Sequence, residues 1–248
     1  MNRRYRGLAL IFNHENFDNG YPSKRRGTKQ DRDRLQTILK NLGFKVEVKN
    51  EMTYEEIFNI IQAVSKMNHS HNDCLLITVL THGELGMLHA KDTIYKLRNL
   101  WEPFTDKNCP TLAGKPKIFF IQACRGVKYD NGITLKTDGS SALTENPTHP
   151  DFVFAFSTVP GYYSWRNSSN GSWFIQALCD ILVDCAIDTD ILKMLTYVLH
   201  KVALDFESYT PNDLESHKKK EMPSIHSTLT RLLIFNNMKK RNDCCNQS

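Results

Sequence analysis

Two apolar runs in this chain end in residues able to do covalent chemistry. Residues 75–80, LLITVL, lead into Thr81, His82 and Gly83; residues 118–123, IFFIQA, lead into Cys124, Arg125 and Gly126. A thiol beside an imidazole is a nucleophile with its own base, because the thiolate is the attacking species and a free thiol with a pKa of ~8.5 is mostly protonated at neutral pH. Neither residue argues for this alone. Cysteine often serves as a small buried hydrophobe, and a histidine at a strand end is usually just hydrogen-bonded. The pairing is what counts: each lies at a strand end, beside a glycine that lets backbone amides approach a ligand. Cys74, Cys179 and Cys185 fall within apolar runs and read as packing, while Cys244 and Cys245 sit in a polar tail.

The elements that must position this pair follow from periodicity. Residues 7–12 read as a buried strand, and residues 28–42 as a helix with Leu35, Ile38, Leu39 and Leu42 on one face and Gly43 as its stop. Residues 44–48 alternate as a strand. Thr53 and Glu56 form a capping box before a helix whose stripe is Ile57, Ile60, Ile61 and Val64. Strands are expected at 74–80, 117–122 and 152–157, a short helix at 97–104, helices at 173–185 and 191–206, and a last strand at 229–235. This alternation predicts an α/β fold, a mostly parallel six-stranded sheet with helices on both faces. In such sheets sites form beyond the carboxyl ends of the strands, where His82 and Cys124 stand. Residues 126–150 interrupt the pattern as a Gly-, Ser-, Thr- and Pro-rich linker, longer than an ordinary connection.

Composition excludes several functions. With 40% hydrophobic and 24% charged residues the chain reads as an ordinary globular protein, of a length that suits one domain. A net charge of +5, mostly spread along the chain, does not suggest nucleic-acid binding. The apolar stretch near the N-terminus is too short for a signal peptide or a membrane span. Seven cysteines without a framework spacing suit free thiols and a cytoplasmic location. There is no Cys-x-x-Cys, and His69 and His71 are the only close histidine pair, so no metal site is expected. No glycine loop follows the first strand to hold a dinucleotide. Position 130 is Asp where a thiol phosphatase loop would need Arg. No cofactor is expected.

Three blocks carry a resemblance: THGE at 81–84, AGKPKIFFIQACRG at 113–126 and GYYSWRNSSNGSWF at 161–174. The segment Gln122-Ala-Cys124-Arg-Gly126 matches a caspase signature. Over nearly all its length the sequence resembles the effector (executioner) caspases, the insect ones in particular. That resemblance implies a caspase-like three-layer sandwich and a cysteine endopeptidase cutting proteins after aspartate during apoptosis. It makes His82 and Cys124 the catalytic dyad, with the N–H groups of Gly83 and Cys124 as oxyanion hole. It gives Arg25, Gln122 and Arg166 the substrate aspartate, although Lys24, Arg25 and Arg26 are consecutive. Tyr163 and Trp165 would receive the preceding substrate residue, and Ser164 and Arg166 would bond the bound strand. Asn167, Trp173 and Tyr209, with the loop at 207–214, would favour an acidic residue three positions earlier, an Asp-x-x-Asp preference.

The resemblance also implies a processing site in the linker: cleavage after Asp138, with Asp130 as competitor, would divide one caspase domain into a large subunit, 1–138, and a small one, 139–248. No prodomain is evident before the first strand. The implied partners are protein substrates with acidic, aspartate-containing loops, an upstream initiator caspase, and inhibitor-of-apoptosis proteins and viral caspase inhibitors. The implied assembly is a homodimer of processed heterodimers, joined through the last strand. The alternative is a catalytically silent caspase-like regulator acting by binding partners. It is disfavoured because His82, Cys124, Arg25 and Arg166 are all retained.

Overall fold

A computed structural model of the chain describes residues 3–20, 22–126, 128–130, 149–213 and 215–236. Asp138 and most of the linker lie outside the described residues. The elements run β1 (Tyr5–Asn13), α1 (Thr28–Asn41), β2 (Lys45–Asn50), α2 (Tyr54–Ser65), β3 (Asn72–Leu80), β4 (Gly83–Glu84), β5 (Met87–His89), β6 (Ile94–Lys96), α3 (Arg98–Trp101), β7 (Lys117–Gln122), β8 (Phe152–Phe156), β9 (Arg166–Asn167), β10 (Gly171–Ser172), α4 (Trp173–Cys185), α5 (Ile191–Asp205) and β11 (Ser224–Ser227).

The six-stranded sheet has the order β11-β8-β7-β3-β1-β2. All neighbours are parallel except β11, which runs antiparallel to β8. In β1, β3 and β7 the apolar runs are continuous because both faces are covered. Alternate residues then serve opposite layers. Leu8, Leu10 and Phe12 pack with Ile57, Ile61 and the α3 residues Leu100 and Trp101, while Ala9 and Ile11 pack with Leu35, Leu178 and Leu195 of α1, α4 and α5. The result is a three-layer sandwich, with α1, α4 and α5 on one face and α2 and α3 on the other.

Local signals hold where a side chain satisfies the backbone. Thr53 and Glu56 form the reciprocal capping box of α2, and Asp190 caps α5 by accepting from the Leu192 N–H. The last strand is a correction. Residues 229–235 form no strand; Leu233 and Phe235 turn into the core under α1, α4 and α5, and the edge strand is the polar Ser224–Ser227. The short three-stranded sheet β4–β6, directly after His82, has no counterpart in the sequence reading. Among the described residues no helix is long and apolar enough to cross a membrane.

Candidate active site

Sheet register brings the two reactive residues together. Leu80 of β3 pairs with Gln122 of β7, and the Thr81 N–H donates to the Gln122 carbonyl at 3.0 Å. His82 and Cys124 therefore each stand two residues beyond the same paired position, on adjacent strands that run the same way. Both line one open cleft of about 230 Å³, with Arg25, Thr81, Gln122, Ala123, Tyr163, Ser164, Trp165 and Arg166. Gly83 is held tightly against the same turn: a Cβ there would lie 2.9 Å from the Cys124 carbonyl oxygen and 2.8 Å from that of Met87.

The orientation of His82 is set by backbone. Its Nε2 lies 2.7 Å from the Ser23 carbonyl oxygen, which can only accept, so Nε2 carries the proton and Nδ1 keeps its lone pair. Phe17 and His89 lie against the ring, at centroid distances of 5.2 Å and 6.3 Å. Burial, with help from Arg25 and Arg166, lowers the pKa of His82 to about 4. The imidazole is therefore a neutral base at physiological pH.

The thiol is also neutral at rest. Burial pushes Cys124 up, and the charge of Glu221 adds to that; the Ser164 contact and the two arginines oppose it. The Ser164 N–H points at Sγ from 3.5 Å, and Sγ lies 3.9 Å from the Ser164 carbonyl oxygen. Arg125 does not serve as a thiolate counter-ion. Its guanidinium lies 4.1 Å from the Phe156 ring centroid and donates to the Thr158 carbonyl and to Ser224 Oγ.

The three consecutive basic residues separate by burial. Lys24 is exposed and pairs with Glu15, Arg26 is exposed, and Arg25 is 1% exposed and lines the cleft. Arg25 Nη1 donates to the His14 carbonyl and to Thr28 Oγ1, whereas Nε and Nη2 are buried with no acceptor among the described residues. Burial beside Arg166 lowers Arg25 to about 9. Arg166 comes from the other side of the cleft, on β9, where its Nε donates to the Arg26 carbonyl at 2.8 Å. Asp31 of α1 fixes that side by accepting from the Ser172 N–H and hydroxyl at 2.8 and 2.7 Å. A buried guanidinium with two unused donors, facing a second guanidinium, is a site for an anion, and a carboxylate fits the fork.

The three residues expected at the acidic subsite lie outside the lining of this cleft. Asn167 uses its Oδ1 to accept from the Ser169 and Asn170 N–H groups, tying its own turn. Trp173 is core, stacked between Trp165 and Phe206. Tyr209 is 82% exposed, edge-on to His217, and does not line the cleft. The structure adds residues that sequence reasoning missed. Ser23 acts through its backbone, which leaves no trace in sequence. Tyr129, whose only signal was an aromatic in a polar linker, stacks on Tyr163 at 4.8 Å and Trp165 at 5.7 Å. Glu221, which follows three consecutive lysines, is buried behind Ser164 and Trp165.

Fold and cleft together define an α/β thiol hydrolase with its Cys–His pair at the carboxyl ends of neighbouring parallel strands. Comparison with known proteins gives the family. The Caspase domain of the C14 peptidases matches residues 6–234. The chain is 56% identical to Caspase-1 of Spodoptera frugiperda over 95% of this chain and 80% of that protein. It is 48% identical to Caspase drICE of Drosophila melanogaster (95% and 71%), and 42% identical to Caspase-3 of Oryctolagus cuniculus (92% and 83%). The crystal structure of the Spodoptera Caspase-1 superposes with a TM-score of 0.89, covering 96% of this chain and 92% of that one. The chain belongs to the caspase family. It is a cysteine-type endopeptidase of the apoptotic, effector-caspase kind, and the silent-regulator alternative is not favoured.

Proposed function

We propose that the enzyme cleaves peptide bonds after aspartate, holding the aspartate side chain between Arg25, Arg166 and Gln122. The observation that carries this is the pair of orphaned donors, Arg25 Nε and Nη2, buried in the cleft that also holds Cys124 and His82. A carboxylate supplies what they lack; a neutral isostere leaves them unpaired, which an enzyme site penalises strongly.

In this reading the substrate binds as an extended strand along residues 163–166, with the Ser164 and Arg166 backbones as partners and Tyr163 and Trp165 receiving the residue before the aspartate. Neutral His82, with Nδ1 free, takes the Cys124 proton as sulfur attacks the scissile carbonyl. The Gly83 and Cys124 N–H groups receive the oxyanion, each such donor being worth about 3–4 kcal/mol. His82 then gives the proton to the leaving amine, and water hydrolyses the thioester. A second acidic residue in Asp-x-x-Asp peptides, maturation by cleavage after Asp138, and pairing of two copies through the β11 edge belong to the same reading. So do an upstream initiator caspase, caspase inhibitors as partners and a cytoplasmic location.

The test is hydrolysis of a fluorogenic Asp-Glu-Val-Asp peptide. Cys124→Ala should lower the rate by about a thousandfold or more, and changing the last Asp of the peptide to Asn should lower kcat/KM by about a hundredfold. Equal rates for the enzyme and Cys124→Ala would remove the nucleophile, and equal rates for the two peptides would remove the aspartate clamp.

A further inference from the structure

Behind Ser164 the fold buries a carboxyl that the chemistry above does not use. Glu221 is 1% exposed, and no cation among the described residues pairs with it. Its Oε2 accepts from the Trp165 N–H, and its Oε1 lies 3.2 Å from Ser164 Oγ. Ser164 Oγ in turn lies 2.6 Å from Nε2 of Gln122. A chain of hydrogen bonds thus leads from the buried carboxyl to a residue of the cleft. The other amide atom of Gln122, Oε1, is buried without a partner among the described residues. It is an unbonded acceptor in a cleft whose other orphans among the described residues, on Arg25 and Trp165, are donors.

The two ends of an amide have the same shape, so Gln122 fits either way round and the direction of the chain decides which way it sits. With Glu221 ionised, Ser164 must donate to it, Gln122 must give its N–H to Ser164, and its oxygen is left over. With Glu221 protonated on Oε1, every link reverses. The Glu221 O–H donates to Ser164 Oγ, the Ser164 O–H donates to the Gln122 oxygen, and the Gln122 NH2 group is released. The Trp165 N–H keeps its acceptor, Oε2, in both states. Resting on the reading of the cleft as an aspartate site, we propose that Glu221 is a positioning residue whose proton, relayed through Ser164, turns the Gln122 N–H group toward the substrate carboxylate.

The surroundings favour that proton. Burial holds Glu221 well above the usual carboxylate range, Asp31 of α1 adds to this, and the bonds from Trp165 and Ser164 oppose it. The adjacent Lys220 and the arginines of this region are engaged elsewhere. Lys220 donates to the Phe206 carbonyl and pairs with Glu207, and Arg125 serves Thr158 and Ser224. Arg25 and Arg166 act on Asp31 and on Cys124. Cys124, in the turn after β7, feels Glu221 directly, since its negative charge disfavours the thiolate. One proton on Glu221 therefore gives the cleft a donor and removes a negative charge behind the nucleophile.

The test follows KM and kcat with pH on an Asp-ended peptide. In the wild type KM should rise about tenfold as Glu221 ionises on the alkaline side, the loss of one charge-assisted bond. Glu221→Gln, whose amide accepts from Trp165 and donates to Ser164 at every pH, should abolish that rise. Ser164→Ala, which cuts the relay, should raise KM at all pH values. A second measurement uses Cys124→Ala and calorimetry in buffers of different ionisation heat. Binding of the peptide at alkaline pH should take up one proton more than in Cys124→Ala/Glu221→Gln. Superimposable pH profiles of KM for wild type and Glu221→Gln, or equal proton uptake, would overturn the relay and leave the aspartate site standing. Failure to cleave after aspartate at any pH would take both.

Discussion

His82, the proposed base, has no carboxylate hydrogen-bond partner among the described residues. The Ser23 carbonyl fixes its tautomer, and burial with two nearby guanidiniums keeps it uncharged until about pH 4. The sign is plain: a lowered pKa means the folded enzyme resists the proton that an ordinary histidine binds near 6.5. The acid limb of kcat/KM should therefore lie nearer 4 than 6.5. Stability follows the same window. Between about 6.5 and 4 the unfolded chain binds a proton that the folded one refuses, so this contribution is full above 6.5 and fades as pH falls toward 4. Urea denaturation between pH 7 and 4.5 should show a shallower loss of stability in His82→Gln than in wild type. At this scale the sequence revealed what depends on side-chain type: a cysteine and a histidine after buried strands and, through the resemblance, Arg25 and Arg166. It concealed what depends on backbone or on burial, namely the Ser23 carbonyl and Glu221 at the end of a run of lysines.

At the level of elements, the strands that could be read were those buried on both faces, since β1, β3 and β7 have no polar alternation to confuse. Residues 229–235 misled because an apolar run marks burial, not pairing; Leu233 and Phe235 reach the core without a ladder, while the true edge strand, Ser-Ile-His-Ser, is polar and half-buried. Close approach between elements is equally silent in sequence, yet it forms the clamp proposed for the substrate aspartate. Gly27 sits at φ +90°, where a Cβ would lie 2.5 Å from the Asn167 carbonyl oxygen. That contact joins the loop carrying Arg25 to the strand carrying Arg166. Gly27→Ala should cost about 1–3 kcal/mol by strain and steric displacement, seen as a melting point lowered by several degrees. It should also raise KM more than it lowers kcat, because the two guanidiniums move apart while His82 and Cys124 stay on the sheet. An unchanged KM would show that the clamp tolerates the gap.

For the whole molecule, the site is assembled from both sides of the linker. Arg25, His82, Gln122 and Cys124 precede it; Ser164, Trp165, Arg166 and Glu221 follow. Yet β7 and β8, the strands on either side, are direct parallel neighbours, paired from Lys117↔Phe152 to Ile121↔Phe156 in the middle of the sheet. Covalent continuity across the linker is therefore not what holds the site together; buried strand pairing and the shared cores are. Residues 1–138 and 139–248 produced as two separate chains in one cell should co-purify and hydrolyse the aspartate peptide, while either alone should do neither. In the language of circuits the sheet is an AND gate: one half supplies Cys124 with Arg25, the other Arg166, and the output exists only while β7 and β8 are zipped together. Such a gate can be wired to any event that brings two polypeptides together.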